Sequence, residues 1–152
     1  MTERIAVFAG TFDPFTIGHA DIVSRGLLLF DRIIIAIGIN PQKKTFFSVK
    51  ERFSQIERFY LSNDRVQVIT YEGLTVNLVK ETHAVALLRG IRSSIDYEYE
   101  KGLADLNSHL MGVNTVFLLT AQEFSHITSS AVRELLSYGQ DVSSFLPEGF
   151  VL

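Results

Sequence analysis

Cysteine is absent from this chain, tryptophan is absent too, and proline occurs only three times. Without cysteine there is no disulfide framework, no thiolate zinc or iron–sulfur site and no cysteine nucleophile. Disulfide-dependent secretion loses its support, and a reducing cytoplasm is the expected compartment. A surplus of positive charge is also lacking, since 14 Lys and Arg face 17 Asp and Glu for a formal net charge of −3. No global basic field draws the chain to nucleic acid or to an anionic membrane, so a polyanionic ligand must be met by a few placed cations. Long hydrophobic runs are missing as well. Leu27–Phe30, Ile33–Ile39 and Val116–Leu119 fall far short of the ~20 residues of a bilayer span. Glu3 and Arg4 lead straight into an apolar run, which is not the pattern of a signal peptide. Neither a nucleic-acid nor a membrane partner is expected.

What is present suits one globular domain covering residues 1–152, with 47% hydrophobic residues and no repeat or linker. Two kinds of segment alternate. Ile5–Phe8 and the β-branched Arg32–Gly38 are short continuous apolar runs that read as buried strands, Val85–Leu88 reads as another buried strand, and Val66–Thr70 and Val116–Leu119 read as strands. Between them lie helical spacings. Ala20, Val23, Leu27 and Phe30 predict a helix from about Gly18 to Phe30, and Ser48 followed by Glu51 is a capping box opening a second helix. Thr75–Glu81 reads as a short helix. Tyr99, Leu103, Leu106 and Leu110 mark another, and Ser129 or Ser130 is expected to cap the last. Strands alternating with helices imply right-handed crossovers and an α/β fold: a Rossmann-like, doubly wound, parallel five-stranded sheet with flanking helices. In such sheets ligands bind beyond the carboxyl ends of the strands.

The residues at those ends carry the chemistry. Gly10 to His19 (GTFDPFTIGH) follows the first strand and enters a helix directly. His19 then lies in a first helical turn, where free N–H groups and the helix dipole favour an anion. A strand–turn–helix junction with an incidental histidine is the competing reading. Lys43-Lys44, taken alone, reads as a solvated loop. Arg89 and Arg92 directly beyond a buried strand suit phosphate through bidentate hydrogen bonds. Ser129 and Ser130 are most simply helix caps, although a capped helix start is itself a phosphate site. The Asp96–Glu100 patch reads as a solvated helix start. His83, His109 and His126 show no ligand spacing, so no metal site of the protein's own is expected.

Taken in order, these segments resemble the phosphopantetheine adenylyltransferases of the nucleotidylyltransferase superfamily. Thr16-Ile17-Gly18-His19 stands where the superfamily usually has His-x-Gly-His. The resemblance continues through Asn40–Lys44, Arg89–Arg92, Asp96–Glu100 and Ile127–Ser130 before Val132-Arg133. It departs at Ala9, Ile17, Phe124 and Thr128, where family members commonly carry proline, asparagine, tryptophan and serine. None of these departures removes a charge or the histidine.

The resemblance implies an enzyme that transfers adenylyl from ATP to 4′-phosphopantetheine, giving dephospho-coenzyme A and pyrophosphate, the penultimate step of coenzyme A synthesis. It casts His19 as the catalytic residue that stabilises the transition state. Thr11, Lys43, Thr75 and Arg89 would hold phosphopantetheine. Thr11, Phe12, His19, Gly90, Ile91, Arg92, Glu100 and Phe124, Ser125, His126, Ile127, Thr128, Ser129 and Ser130 would hold ATP. Only the resemblance promotes Glu100 and His126 to nucleotide contacts. It further implies Mg2+ carried with ATP, dephospho-coenzyme A or coenzyme A as product or feedback ligand, and a homohexamer. A sister transferase acting on another phosphate ester and a non-catalytic nucleotide-binding module are the rival readings.

Overall fold

A computed structural model describes residues 2–152. Five parallel strands form the sheet: β1 (Ile5–Gly10), β2 (Arg32–Gly38), β3 (Val66–Tyr71), β4 (Ala86–Ile91) and β5 (Asn114–Leu119), in the order β3-β2-β1-β4-β5. The helices are α1 (Ile17–Gly26), α2 (Val49–Tyr60), α3 (Thr75–Glu81), α4 (Ser94–Met111) and α5 (Ser129–Ser137). The expected doubly wound architecture is present.

Strand alternation builds two cores, one on each face. Ala6 and Phe8 of β1 join Ile33, Ile35 and Ile37 of β2, and are covered by Ile22 and Val23 of α1, Ile56 of α2 and Val132 of α5. The intervening residues Val7, Ala9, Ile34 and Ala36 face the other way, against Val76, Leu78 and Val79 of α3. Both faces are buried, which is why these strands read as continuous apolar runs.

Two boundaries and one buried face differ from the sequence expectation. α1 ends at Gly26, four residues before Phe30, and Leu27 to Phe30 turn back through hydrogen bonds to Val23, Arg25 and Gly26 carbonyls. β4 extends to Ile91, so Arg89 and Gly90 lie within the strand, with Arg89 opposite Phe117 of β5. The helix predicted from Tyr99, Leu103, Leu106 and Leu110 exists, but that stripe is exposed and Glu100 is the buried residue of α4. A 3.6-residue period identifies a helix and says nothing of which face meets the sheet.

At Gly26 the helix comes very close to the sheet. An added Cβ would sit 2.6 Å from Ile33 Cδ1 and 2.7 Å from Leu88 Cδ2, and both side chains are fully buried. Gly26→Ala is therefore expected to destabilise the protein. Overpacking of about 1–3 kcal/mol outweighs a helix-propensity gain of about 0.5–1 kcal/mol. The change should appear as a lower urea midpoint with unchanged slope.

Candidate active site

β1 pairs with β2 through Gly10, yet its ladder with β4 covers only Ala6–Ala86 and Val7–Leu87. Beyond Val7 the two strands separate, and the crossovers from β1 and β4 leave in opposite directions. A cleft opens there. The Arg89 guanidinium fills the gap by donating to the Ala9 carbonyl, which lies past the end of that ladder. Glu100 of α4 holds the same guanidinium by two bonds, Nη2 to Oε1 at 2.6 Å and Nε to Oε2 at 2.9 Å.

The cleft has two lobes. One, of about 360 Å³, runs from Gly10 and Thr11 past Asn40, Tyr71 and Thr75 to Leu103, Asn107 and Thr115. The other, of about 350 Å³, is lined by Phe12, His19, Gly90, Arg92, Ile127, Thr128, Ser129, Ser130 and Arg133, among others. Thr11, Lys43, Arg89 and Glu100 line both. At this junction Lys43 Nζ donates to Thr11 Oγ1 at 3.1 Å. The loop itself is solvated, with residues 40–44 exposed, and it is the Lys43 ammonium that reaches the cleft.

His19 is the third residue of α1. Thr16 caps that helix, its Oγ1 accepting from His19 N, while the Thr16 N–H donates to His19 Nδ1 at 3.0 Å. Because Nδ1 accepts, the neutral ring carries its proton on Nε2. This reciprocal cap uses histidine where a capping box uses Glu or Gln, so the residue types alone did not signal it. Phe12 packs edge-on against the imidazole at 5.0 Å, with Phe15 at 5.4 Å and Phe8 at 6.1 Å between ring centres. Phe12 holds φ at 50°, a left-handed conformation uncommon for a bulky residue, and its side chain is buried. Burial first, then the charges of Arg92 and Arg89, push the His19 pKa from 6.5 to about 3. The residue is a neutral hydrogen-bond donor at neutral pH.

Around the second lobe, Arg92 pairs with Asp96 at 3.3 Å and its Nη1 donates to the Ile127 carbonyl. The expected cap of α5 needs correction. Thr128 is the N-cap, its side chain accepting from Ala131 N at 3.0 Å. Ser129 and Ser130 are the first two helical residues, because the extended backbone required of a cap falls at Thr128. Ser129 Oγ instead donates to the Pro14 carbonyl at 2.8 Å, tying α5 to the loop after β1.

Of the residues singled out from sequence, Thr11, Phe12, His19, Lys43, Thr75, Arg89, Gly90, Arg92, Glu100, Ile127, Thr128, Ser129 and Ser130 line the cleft. Ile91 is buried in the strand. Phe124, Ser125 and His126 lie outside both lobes: Phe124 ends a 3-10 turn, Ser125 bonds back to the Gln122 carbonyl and the His126 ring faces Phe145. Asp13, Tyr71, Asn107 and Arg133 join the lining without having been singled out. Arg133 was legible in part, since it falls three residues after Ser130 on one helix and bonds to its hydroxyl at 3.0 Å.

The lowered His19 pKa has a consequence for stability. Above pH 6.5 the ring is neutral in both folded and unfolded chains. Between pH 6.5 and about 3 the unfolded chain takes a proton that the folded one resists, so stability is lost as pH falls. His19→Gln lacks that proton. Urea unfolding of the ligand-free proteins should show the parent losing more stability than this variant between pH 6.5 and 4.

Comparison with known proteins gives the site its context. A cytidylyltransferase-like family model matches residues 7–135. A phosphopantetheine adenylyltransferase of Porphyromonas gingivalis is 64% identical over all 152 residues and 99% of its own length. Those of Flavobacterium johnsoniae and Phocaeicola vulgatus are 48% and 47% identical, covering 95% and 96% of this chain and 95% and 97% of theirs. Among solved structures, a bifunctional NMN adenylyltransferase/ADP ribose pyrophosphatase from Francisella tularensis, complexed with AMP and a manganese ion, superposes with a TM-score of 0.71. At 18% identity over 95% of this chain and 44% of that longer one, the likeness is one of fold. Full-length identity and the matching family model together show that this chain belongs to the phosphopantetheine adenylyltransferase family of cytidylyltransferase-like nucleotidyltransferases.

Proposed function

We propose that this chain transfers adenylyl from ATP to 4′-phosphopantetheine, releasing pyrophosphate and dephospho-coenzyme A. The observation that carries the reading is the cleft of two lobes meeting at Thr11, Lys43 and Arg89. Two anionic substrates have to meet end to end, and the shared wall is where the cations stand. ATP fits the lobe with the α1 and α5 starts, where helix N-termini favour phosphates. The arm of phosphopantetheine fits the lobe leading past Thr75 to Leu103 and Asn107. Its phosphate then lies at the junction.

In the reaction, an ionised phosphate oxygen of 4′-phosphopantetheine attacks the α-phosphorus of ATP. The bond to the bridging oxygen breaks and pyrophosphate departs with the electron pair. The nucleophile is already deprotonated, so the chemistry requires positioning and charge stabilisation more than a general base. His19 offers a neutral Nε2–H to the α-phosphate, held by its cap and its aromatic bed. Lys43 and Thr11 hold the attacking phosphate together with Arg89, whose side chain Glu100 aims. Arg92, Ser129, Ser130 and the α5 start receive the nucleotide phosphates, with the segment from Phe124 to Thr128 closing around the base.

Magnesium fits this arrangement as a passenger of ATP. The carboxylates lining the cleft are engaged: Asp13 by the Phe46 and Phe47 N–H groups, Asp96 by Arg92 and Glu100 by Arg89. The ion would sit on triphosphate oxygens and neutralise charge on the leaving pyrophosphate. The reading also includes a cytoplasmic enzyme, with coenzyme A as a feedback ligand of the same cleft.

Pyrophosphate release from ATP should require phosphopantetheine and stop when it is omitted. Replacement of His19 by Ala should lower kcat by about 10²-fold or more while ATP affinity stays close to that of the parent. Release that does not depend on phosphopantetheine, or a His19→Ala enzyme within a few-fold of the parent, would overturn the assignment.

The exposed α4 stripe supports the homohexamer. Ile95, Tyr99, Leu103, Leu106 and Leu110 follow one another at helical spacing and are 79%, 67%, 39%, 51% and 54% exposed in the single chain. A contiguous apolar stripe of this kind is what self-association covers. Light scattering should report the mass of six chains, and Leu106→Glu should shift it to smaller species.

A further inference from the structure

Arg52 is the largest fully buried side chain of the protein, at 2% exposure, and the reaction described above does not use it. It stands on the first turn of α2 and has no carboxylate within salt-bridge distance among the described residues. Its charge is instead shared between two carbonyls. Nη1 donates to Thr11 O at 2.6 Å, and Nε donates to Phe47 O at 3.2 Å. Thr11 belongs to the loop after β1 and Phe47 to the loop after β2, the loop that carries Lys43. Asp13, 3% exposed, makes the reciprocal tie, accepting from Phe46 N on Oδ2 and from Phe47 N on Oδ1, both at 2.8 Å. A buried guanidinium and a buried carboxylate thus stitch the same two loops together from opposite charges. A guanidinium suits this role because its rigid fork presents several donors at fixed angles, so it can hold two carbonyls at once.

We propose that Arg52 is a positioning residue for adenylyl transfer. By locking the Thr11 backbone to the Lys43 loop, it sets the Thr11–Lys43 contact that receives the attacking phosphate. It does so from below the cleft, with no contact to substrate. Asp13 is its partner in the same tie. This rests on the functional reading given above and adds to it the group that fixes the acceptor end of the site. In that reading ATP is held chiefly by His19 of α1, the α5 start and Arg92, none of which Arg52 touches, and shares only Thr11 with the acceptor. Its loss should therefore act unequally on the two substrates.

The test is steady-state pyrophosphate release by the parent, Arg52→Met and Arg52→Lys, varying each substrate in turn. Met keeps much of the buried volume and removes both donated bonds. Arg52→Met should raise KM for phosphopantetheine and lower kcat by ~10-fold or more, since misplacing a reacting group costs up to ~10²-fold. KM for ATP should stay within about 3-fold of the parent's on the same argument, because the nucleotide groups are not moved. Arg52→Lys should recover part of the loss, as a single ammonium can hold one carbonyl but not the planar pair. A merely structural role predicts a lower Tm with kcat and both KM values unchanged in the folded protein, and that result overturns the proposal. So does an equal rise in both KM values. If Arg52→Met fails to fold, Arg52→Lys and Asp13→Asn decide, with the same selective rise in KM for phosphopantetheine expected. Parent enzyme that releases no pyrophosphate refutes the functional reading itself. In that event, calorimetric titration of 4′-phosphopantetheine into the parent and Arg52→Lys still tests the tie, and equal affinities would sink it.

Discussion

The site depends on β1 losing one of its two neighbours partway along its length. Inside the sheet β1 is flanked by β2 and β4, but its ladder with β4 stops after Val7. From there the chain must supply partners for backbone groups that no strand reaches, because a buried unpaired carbonyl is costly. Arg89 serves Ala9 O and Arg52 serves Thr11 O. Arg89, which lines the cleft, also contributes the positive potential that a phosphate ester needs, whereas Arg52 binds the backbone beneath it. Structure and binding thus draw on the same guanidinium group at Arg89.

Charge placement follows from that economy. A chain with net charge −3 cannot attract polyanions through a broad field. It concentrates Lys43, Arg89, Arg92 and Arg133 around one cleft and restrains them with Thr11, Glu100, Asp96 and the Asp13 carbonyl. Restraint lowers the reorganisation needed when substrate arrives, the condition under which fixed donors are most effective. His19 belongs to the same design. Burial against phenylalanine side chains and, after it, two neighbouring arginines keep its ring uncharged, and the Thr16 cap fixes which nitrogen bears the proton.

Much of this was legible in advance. Buried parallel strands announce themselves as β-branched runs, and the Ser48–Glu51 box marked the start of α2, where both of its bonds form. The loops after β1, β2 and β4 do bring Thr11, His19, Lys43 and Arg92 together. Other features escaped for identifiable reasons. Ser129 and Ser130 are good cap residues, yet Thr128 has the extended backbone that a cap needs, and three adjacent hydroxyl residues do not reveal which one will adopt it. Arg52 was not singled out at all. Its burial depends on two loops distant in sequence folding over it.

The sequence by itself determined the order of strands and helices, the presence of two buried faces and the family to which the motifs belong, because alternation and turn chemistry are local properties. Tertiary structure decided which apolar stripe is covered, how far β4 runs and which charged groups pair. α4 shows the difference clearly. Its periodic leucines are exposed while Glu100 is buried, because that carboxylate meets Arg89 near the carboxyl end of β4. A pattern of residues specifies that a helix has two faces. Only the packing of α4 against β4, which pairs Glu100 with Arg89, specifies which face turns inward.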